Sequence, residues 1–437
     1  MSLDRSGRGR PTSSRRRFLT VTGTAAAWAS VMHLNPGIAL GPGADLAERI
    51  RGLMFGSAIG DALGGPIEFQ SRERVQQLAH PPKVWQEGEK LDANARAAAA
   101  ARLRLRPYGP LRPETESYGQ WNRDSPPGTI TDDTRHKLIL LHALHNAEVG
   151  GGWPLTVRTL ARAYVEWPET KAVLGQPGYE ALAKDWLEEW QFAARWVLGE
   201  RDLERALPPE RMWQGLPTVC GQMTLLPLAA IYAGQPERAY RAAYELGFFD
   251  NGFGKDLNAA IVAGLSVALT TPLPVEGARP AFEAIFAAMR RTDTFRFGKI
   301  RWSERAVDRW LNLALQLASS AQGEPARLFA ALEREFAQST KWEAQVAFVV
   351  AVSCLELADF DPLAALQLSM EWGHDSDSYA QLTGAFAGAV HGVSIFRTDW
   401  TQAVAARLLA DHHVDLEQEC RFLLRLHGTA PQRKLIE

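Results

Sequence analysis

In the sequence, Trp372-Gly373-His374-Asp375-Ser376-Asp377-Ser378 leads directly into a run of small residues from Tyr379 to Gly392. Residues i and i+2 of an α-helix point to nearly opposite sides, whereas in an extended or turn segment they can converge. Asp375 and Asp377 therefore share a target only if they precede the helix, with Ser378 near its N-cap. One interpretation is a helix cap, because Asp and Ser accept orphan backbone N–H bonds there. The other is a chemical site.

Glycines recur at a spacing of four in the helix that follows, at Gly384, Gly388 and Gly392, so one face is nearly bare backbone. Each interior glycine costs about 1 kcal/mol relative to alanine, which a closely packed partner helix can offset. A matching face occurs between residues 52 and 64, where glycines 52, 56, 60 and 64 have the same spacing. Antiparallel packing of the two faces predicts that Asp61 and Glu68 lie near Asp375 and Asp377.

A second pair of acids follows Gly128, in Thr131-Asp132-Asp133-Thr134 at the start of an apolar helical pattern. Alone, this motif is explained by capping and by the helix dipole. Together with the later motif, it places four carboxylates and up to three hydroxyls at two helix N-termini. Oxygen ligands without a Cys or His cluster suit hard divalent cations such as Mg²⁺, Mn²⁺ or Ca²⁺. Four carboxylates could hold two such ions, a pairing that serves hydrolysis.

Known alternatives for these acids are not supported by the sequence. An EF-hand loop starting at Asp375 would need glycine at its sixth position and glutamate at its twelfth, where Ala380 and Phe386 stand. Neither GxxxxGK[ST] nor a GxGxxG motif after a strand occurs. The three cysteines, 220, 354 and 420, are widely spaced without a CxxC pair, which indicates neither zinc nor a disulfide framework.

Periodicity predicts an all-α fold, a single compact orthogonal multi-helix domain over residues 44–427. Residues 80–128 interrupt the helices with seven prolines and are predicted to form a loop-rich insertion with one short helix, on the surface or as a lid over the site. Its aromatic residues Tyr108, Tyr118 and Trp121 could stack on a base or pin the loop to the body. The remaining helices are predicted at about 179–198, 222–233, 256–270, 280–291, 303–320, 326–337, 343–357, 363–371 and 401–426, the last broken or kinked.

The N-terminus predicts export. Residues 1–17 hold six arginines and one acid, Asp4, and an apolar run with small-residue cleavage sites follows from Phe18 to Ala29. Ser14-Arg15-Arg16-Arg17-Phe18-Leu19 resembles the twin-arginine export signal, although a disordered basic tail is the alternative. We therefore expect a signal peptide and disordered lead over residues 1–40, the twin-arginine translocase as a partner during export, and a periplasmic or extracellular location.

The charge balance restricts the partners of the exported chain. Cleavage near Ala29 removes six positive charges and one negative charge, which changes the formal net charge from −2 to −7. An acidic protein is a poor candidate for binding nucleic acid through phosphates. No later stretch has the roughly 18 uninterrupted apolar residues of a membrane span, so stable membrane insertion is not expected. We expect a monomer.

Three motifs resemble the signatures of the ADP-ribosylglycohydrolase family, in the family's order and over about residues 46 to 396. They are Gly60-Asp61-Ala62-Leu63-Gly64-Gly65-Pro66-Ile67-Glu68-Phe69, Thr131-Asp132-Asp133-Thr134 and Gly373-His374-Asp375-Ser376-Asp377-Ser378, the last followed by Gly384-Ala385-Phe386-Ala387-Gly388-Ala389. The resemblance implies a binuclear Mg²⁺ or Mn²⁺ centre that cleaves the glycosidic bond at the ribose C1″ of an ADP-ribosylated protein or small molecule.

Roles for individual residues follow from the resemblance. It implies metal ligands at Thr131, Asp132, Asp133, Asp375, Asp377 and Ser378. Glu68 corresponds to a glutamate that some members use as acid/base or gate, and with Asp133 and Asp375 it forms the predicted catalytic set. Asp61, Trp121 and His374 are the predicted substrate contacts, and these come from the residues and their positions in the sequence rather than from the resemblance.

The sequence departs from the family pattern at several positions. Ser378 replaces the usual threonine and keeps the hydroxyl, whereas His374 replaces a usual glycine. Two segments that shape the family's pocket also differ, at residues 220–224 and 248–252. The alternatives are therefore a hydrolase of another ribosyl, nucleoside or glycan substrate, a non-catalytic metal-dependent ADP-ribose-binding protein, and a calcium-stabilised structural domain.

Overall fold

The predicted all-α class is confirmed by the computed structural model, which describes residues 42–78, 81–105, 125–149, 155–168, 173, 175, 179–274 and 277–429. Within these ranges the regular structure is helical, and strand-like pairing is limited to two isolated bridges, Gln70 with His374 and Thr218 with Glu343. From Pro42 onward the described residues form one compact unit. The predicted signal at residues 1–40 lies outside the described residues.

The α-helices of the described residues are numbered here in chain order. They are α1 Pro42–Gly64, α2 Arg72–Gln76, α3 Ala93–Ala100, α4 Asp132–Val149, α5 Val157–Glu166, α6 Tyr179–Leu198, α7 Cys220–Thr224, α8 Leu228–Ile231, α9 Pro236–Leu246, α10 Gly254–Ala268, α11 Arg279–Arg291, α12 Ala306–Ser320, α13 Pro325–Glu335, α14 Ala344–Leu357, α15 Pro362–Glu371, α16 Ser376–His391, α17 Thr398–His412 and α18 Leu416–Thr429. Short 3-10 helices lie at Gly65–Ile67, Pro209–Gly215, Phe297–Lys299 and Val393–Ile395.

Helices α1 and α16 pack back to back at the centre of the fold, through the glycine faces predicted to meet. A Cβ placed on Gly52 would overlap the carbonyl oxygen of Gly388, and one on Gly56 would overlap that of Gly384. At the far end Gly64 lies against the backbone of Ser376 and Asp377. The helices are therefore antiparallel, and their contact brings the end of α1 to the start of α16.

Proline explains one of the differences from the predicted helices. One helix was predicted over residues 222–233, but the structure has two short helices there, α7 and α8. Pro227 lacks the N–H that a continuous helix would need. Helices α5 and α9 were not predicted. Both have one buried face, which includes Leu160 in α5 and Tyr240 in α9.

The described part of the predicted insertion is attached to the body of the protein. Residues 81–105 contain one short helix, α3. The Trp85 backbone N–H donates to Glu371 Oε1 over 2.8 Å, and its indole Nε1 donates to Gln367 Oε1 over 2.9 Å. Arg72 completes the attachment by an ion pair of 2.8 Å with the same Glu371. These bonds fix the start of the insertion on α15.

Among the described helices, none has the combination of length and apolar character that crossing a bilayer requires.

Candidate active site

Five carboxylates from three separate motifs meet at the N-termini of α4 and α16. Oxygens of Glu68, Asp375 and Asp377 all lie within 4.8 Å of one another, and so do oxygens of Asp132, Asp133 and Asp377. Asp377 belongs to both groups. The arrangement therefore comprises two overlapping groups of carboxylates, each of which could hold a cation.

Helix capping does not explain the acids of α16. Asp375 occupies the N-cap position, but its side chain accepts no capping hydrogen bond from the helix. Its Oδ2 atom and both carboxylate oxygens of Asp377 are buried and have no hydrogen-bond partner among the described residues. The first interpretation of this motif, an elaborate helix cap, is therefore wrong.

At the start of α4 the cap is Asp61 instead. Its carboxylate accepts from the backbone N–H of Thr131 over 2.8 Å and of Thr134 over 2.9 Å, and also from the Thr134 hydroxyl. Asp61 is fully buried and does not line the pocket described below. Both of its oxygens are engaged in holding the N-terminus of α4, and the predicted contact of Asp61 with substrate stays a prediction.

The donor set fits a hard divalent cation. Asp133 has one buried oxygen without a partner, Oδ1, while Oδ2 accepts from the Ser378 hydroxyl over 3.2 Å. Together with those of Asp375 and Asp377, four buried carboxylate oxygens lack a hydrogen bond among the described residues. Unpaired buried charge is strongly unfavourable in proteins, and cations relieve it. An all-oxygen set favours Mg²⁺, Mn²⁺ or Ca²⁺ over softer metals.

Electrostatics lead to the same conclusion. Burial raises the pKa of Asp375 to about 7. Burial, together with the neighbouring acids, holds the pKa values of Asp133 and Asp377 well above the usual range. The helix dipoles of α4 and α16 offset only part of this repulsion. A bound cation would favour the ionised forms and lower these pKa values.

A buried lysine lies beside the carboxylates. The Lys137 ammonium, 1% exposed, donates to the backbone oxygen of Asp133 and to Gln381 Oε1, both over 2.7 Å. Burial lowers its pKa to about 8, although the surrounding acids oppose that shift. Lys137 was not predicted as part of the site from the sequence. Its position one turn after Asp133 on the same helix face was the available signal.

A small backbone pairing positions Glu68 beside α16. The Phe69 N–H donates to the carbonyl of His374, and the His374 N–H donates to the carbonyl of Gln70 over 2.6 Å. Both Phe69 and His374 have φ of +57°, in the left-handed region. Such a conformation is costly for residues other than glycine and persists where the surroundings impose it. Because glycine adopts a positive φ without this cost, glycine suits position 374.

His374 does not contact the pocket. Its Nε2 pairs with Glu333 Oε1 over 2.8 Å, and its ring packs against Trp372 with centroids 4.8 Å apart. This pair directs the imidazole toward α13, and the predicted contact of His374 with substrate stays a prediction. Trp121, the third predicted substrate contact, lies outside the described residues.

A pocket that is partly open to solvent borders the acid cluster. Four of the five acids line it, namely Glu68, Asp132, Asp133 and Asp375, together with the Ser378 hydroxyl. Thr131 is fully buried and outside the lining, where its hydroxyl accepts from the Asp133 N–H over 3.3 Å. Five aromatic residues complete much of the wall, and these are Phe69, Trp186, Trp190, Trp213 and Trp342.

A buried polar network supports the pocket wall formed by residues 218–220. Asp250 Oδ1 accepts from the Gly221 N–H and from Asn258 Nδ2, each over 2.9 Å. Asn258 Nδ2 also donates to the Thr218 carbonyl over 3.3 Å. The two segments that depart from the family pattern are thus bonded to each other. Burial raises the pKa of the Cys220 thiol in this wall, which disfavours its thiolate form.

Asp250 provides a test of this network by pH. Burial raises its pKa to about 7, from an ordinary value of 3.8. The folded state therefore holds the proton more tightly, so this contribution to stability is present below pH 4 and is lost as pH rises toward 7. We expect Asp250→Asn to remove a slope of up to about 1.4 kcal/mol per pH unit between pH 4 and 7. Urea unfolding of both proteins across this range measures it, and parallel curves would contradict the assignment.

Together, the fold and the site define an all-α protein with a carboxylate centre suited to divalent cations at the wall of a pocket. The family model described as ADP-ribosylglycohydrolase matches residues 42–431. The chain belongs to the ADP-ribosylglycohydrolase family and is a glycosidase. A comparison with curated proteins found no match.

Proposed function

We propose that the protein hydrolyses the N- or O-glycosidic bond at the anomeric carbon of an ADP-ribosyl or related ribosyl compound, with two bound divalent cations, Mg²⁺ or Mn²⁺. The single observation that carries this proposal is the acid cluster, in which two groups of three acidic residues share Asp377. Four buried carboxylate oxygens of this cluster have no hydrogen-bond partner among the described residues. Glu68, Asp132, Asp133, Asp375 and Asp377 would hold the cations.

The chain's own residues suit the two proton transfers of hydrolysis. Water adds its oxygen to C1″ as the bond from C1″ to the leaving group breaks, and the proton lost by the water balances the one gained by the leaving group. Glu68 and Asp375 line the pocket, so either carboxylate can accept the proton of the attacking water and then pass it to the leaving group. The cations, when bound, would stabilise the charge that develops in this step.

Turnover with and without metal tests the proposal. We expect the purified chain to release the leaving group from some ADP-ribosylated or ribosylated compound with Mg²⁺ or Mn²⁺, and a chelator to abolish release. Metal-dependent ligand binding without turnover, over N- and O-linked compounds, would instead indicate a binding protein. If a divalent cation raised the thermal stability but the protein showed neither turnover nor ligand binding, the cation would have a structural role.

We further propose that the protein is exported by the twin-arginine translocase to the periplasm or beyond. The support is the sequence Ser14-Arg15-Arg16-Arg17-Phe18-Leu19 ahead of an apolar run. Replacing both Arg15 and Arg16 by lysine is expected to retain the full-length chain in the cytoplasm of a host with this pathway. Equal secretion of both forms would contradict the proposal.

A further inference from the structure

A surface segment between α11 and α12 combines basic and large apolar side chains. From Arg290 to Trp302 the sequence reads Arg-Arg-Thr-Asp-Thr-Phe-Arg-Phe-Gly-Lys-Ile-Arg-Trp, with five basic residues and one acid, Asp293. The formal net charge of the whole chain is −2, so this segment is positive on a chain that is negative on average. Residues 290–302 are called the basic loop below.

Three large apolar side chains of the basic loop are exposed to solvent. Phe295, Ile300 and Trp302 are 39%, 52% and 87% exposed, and none of them lines the acid-lined pocket. A side chain as exposed as that of Trp302 projects from the surface instead of lining a groove. Exposed apolar side chains that are grouped together mark an interaction site for a protein or a membrane.

Most of the positive charge of the basic loop is free to meet a partner. Four exposed basic residues have no side-chain hydrogen bond or ion pair with a described residue, and these are Arg291, Arg296, Lys299 and Arg301. Arg290 is the exception, because it pairs with Asp308 over 3.4 Å. The carboxylate of Asp293 accepts from the N–H groups of Phe297 and Gly298 over 2.7 and 2.8 Å. The single acid of the loop is therefore engaged in shaping its backbone.

Buried contacts fix the base of the basic loop on the body of the protein. Arg305, just beyond the loop, forms an ion pair of 2.6 Å with Asp256, and both side chains are buried. Arg305 also donates to the Thr292 carbonyl over 2.8 Å. On the other side, the ring of Phe295 packs against that of Tyr244, with centroids 4.4 Å apart. The exposed side chains therefore project from a folded base.

We propose that the basic loop docks the protein on the surface of an anionic lipid bilayer. The side chains of Ile300 and Trp302 enter the headgroup region, where tryptophan is favoured because its ring is apolar and its N–H is polar. The neighbouring cations contact the lipid phosphates, since basic residues are attracted to an anionic membrane surface. A peptide partner would need a groove to receive it, whereas these side chains project. Such docking does not depend on the proposed hydrolysis.

Sedimentation with lipid vesicles tests the docking on the full chain. The six arginines before Phe18 are replaced by glutamine in every form, because that basic tail would itself bind anionic vesicles. The vesicles are made of dioleoylphosphatidylcholine, either alone or mixed with an equal amount of dioleoylphosphatidylglycerol. Soluble polyglutamate serves as a polyanion that has no apolar interior.

Two loop variants separate the contribution of charge from that of the ring. The charge variant combines Lys299→Gln with Arg301→Gln, and the ring variant is Trp302→Ser. Their matched controls alter exposed residues elsewhere, and these are Arg334→Gln combined with Arg421→Gln for charge, and Leu203→Ser for the apolar side chain. Circular dichroism and thermal unfolding verify that each variant is folded.

We expect the parent chain to bind the anionic vesicles at least about tenfold more tightly than the neutral ones. The charge variant should weaken this binding about tenfold or more, because each basic residue near an anionic surface contributes about fivefold. Trp302→Ser should weaken it about tenfold through lost apolar burial. The controls should stay within about twofold of the parent, since exposed side chains away from the contact contribute little.

Failure of the parent chain to prefer anionic vesicles would overturn the inference, as would losses of equal size in the loop variants and their controls. Loss in the charge variant without loss in Trp302→Ser would also overturn it. Polyglutamate binding as tight as vesicle binding would then indicate an acidic protein partner. Turnover of ribosyl compounds is measured separately, so each of these outcomes leaves the proposed hydrolysis intact.

Discussion

Replacing Asp377 by asparagine is expected to reduce kcat/KM by about 10³-fold or more, because this carboxylate belongs to both groups of candidate ligands. The same change is expected to stabilise the metal-free protein, because asparagine removes a buried ionisable group among other acids. The cause is electrostatic, since burial, and after it the neighbouring acids, raises the pKa of Asp377 well above the usual range. Leaving-group release with metal, and thermal unfolding with a chelator, measure the two effects.

Asp399→Asn is the matched control for this change. Asp399 also lies in the first turn of a helix, α17, but its side chain is 62% exposed and pairs with Arg397. An exposed ion pair contributes little, so neither activity nor metal-free stability should change appreciably. If Asp377→Asn lowered metal-free stability and kept its activity, the carboxylates would be structural rather than ligands.

Replacing Gly388 by alanine is expected to cost about 4 kcal/mol of stability or more, or to prevent folding. A Cβ at this position would overlap the backbone carbonyl of Gly52, and backbone cannot move aside as a flexible side chain can. Separation of α1 from α16 would also move Glu68 away from Asp377. Chemical denaturation and circular dichroism measure the loss.

Gly428→Ala provides the comparison for the helix pair. Gly428 lies in helix α18, where a Cβ would meet nothing within 4 Å. Alanine there should be neutral or stabilise the protein by up to about 1 kcal/mol, through helix propensity. Similar effects of the two substitutions would show that the glycine contact of α1 with α16 is not what holds the centre of the fold.

The central pairing was predictable because its signal is backbone chemistry. Glycines that repeat on one face of a helix allow another helix to approach closely. Gly52 and Gly388 are in backbone contact, as that spacing predicts. Convergence of Asp375 and Asp377 with Glu68 followed from the antiparallel arrangement. For the packing of α1 on α16, the local glycine pattern was therefore enough to predict the geometry.

Other features depend on contacts between distant segments that no local pattern specifies. Asp61 lies in the predicted region, yet its role depends on the N–H groups of Thr131 and Thr134, which take both of its oxygens. His374 follows a left-handed backbone turn toward Glu333, a partner 41 residues away in sequence. The ring of Phe69 likewise lies edge-to-face against the ring of Trp342, a contact that no pattern in the sequence predicts.

The most direct test of the metal centre is anomalous diffraction at the manganese edge from crystals of the protein equilibrated with Mn²⁺. We predict two anomalous peaks among the oxygens of Glu68, Asp132, Asp133, Asp375 and Asp377, with Asp377 contacting both. Crystals of Asp377→Asn should lose at least one of them. Crystals of the unchanged protein with saturating Mn²⁺ and no peak among these carboxylates would contradict the account.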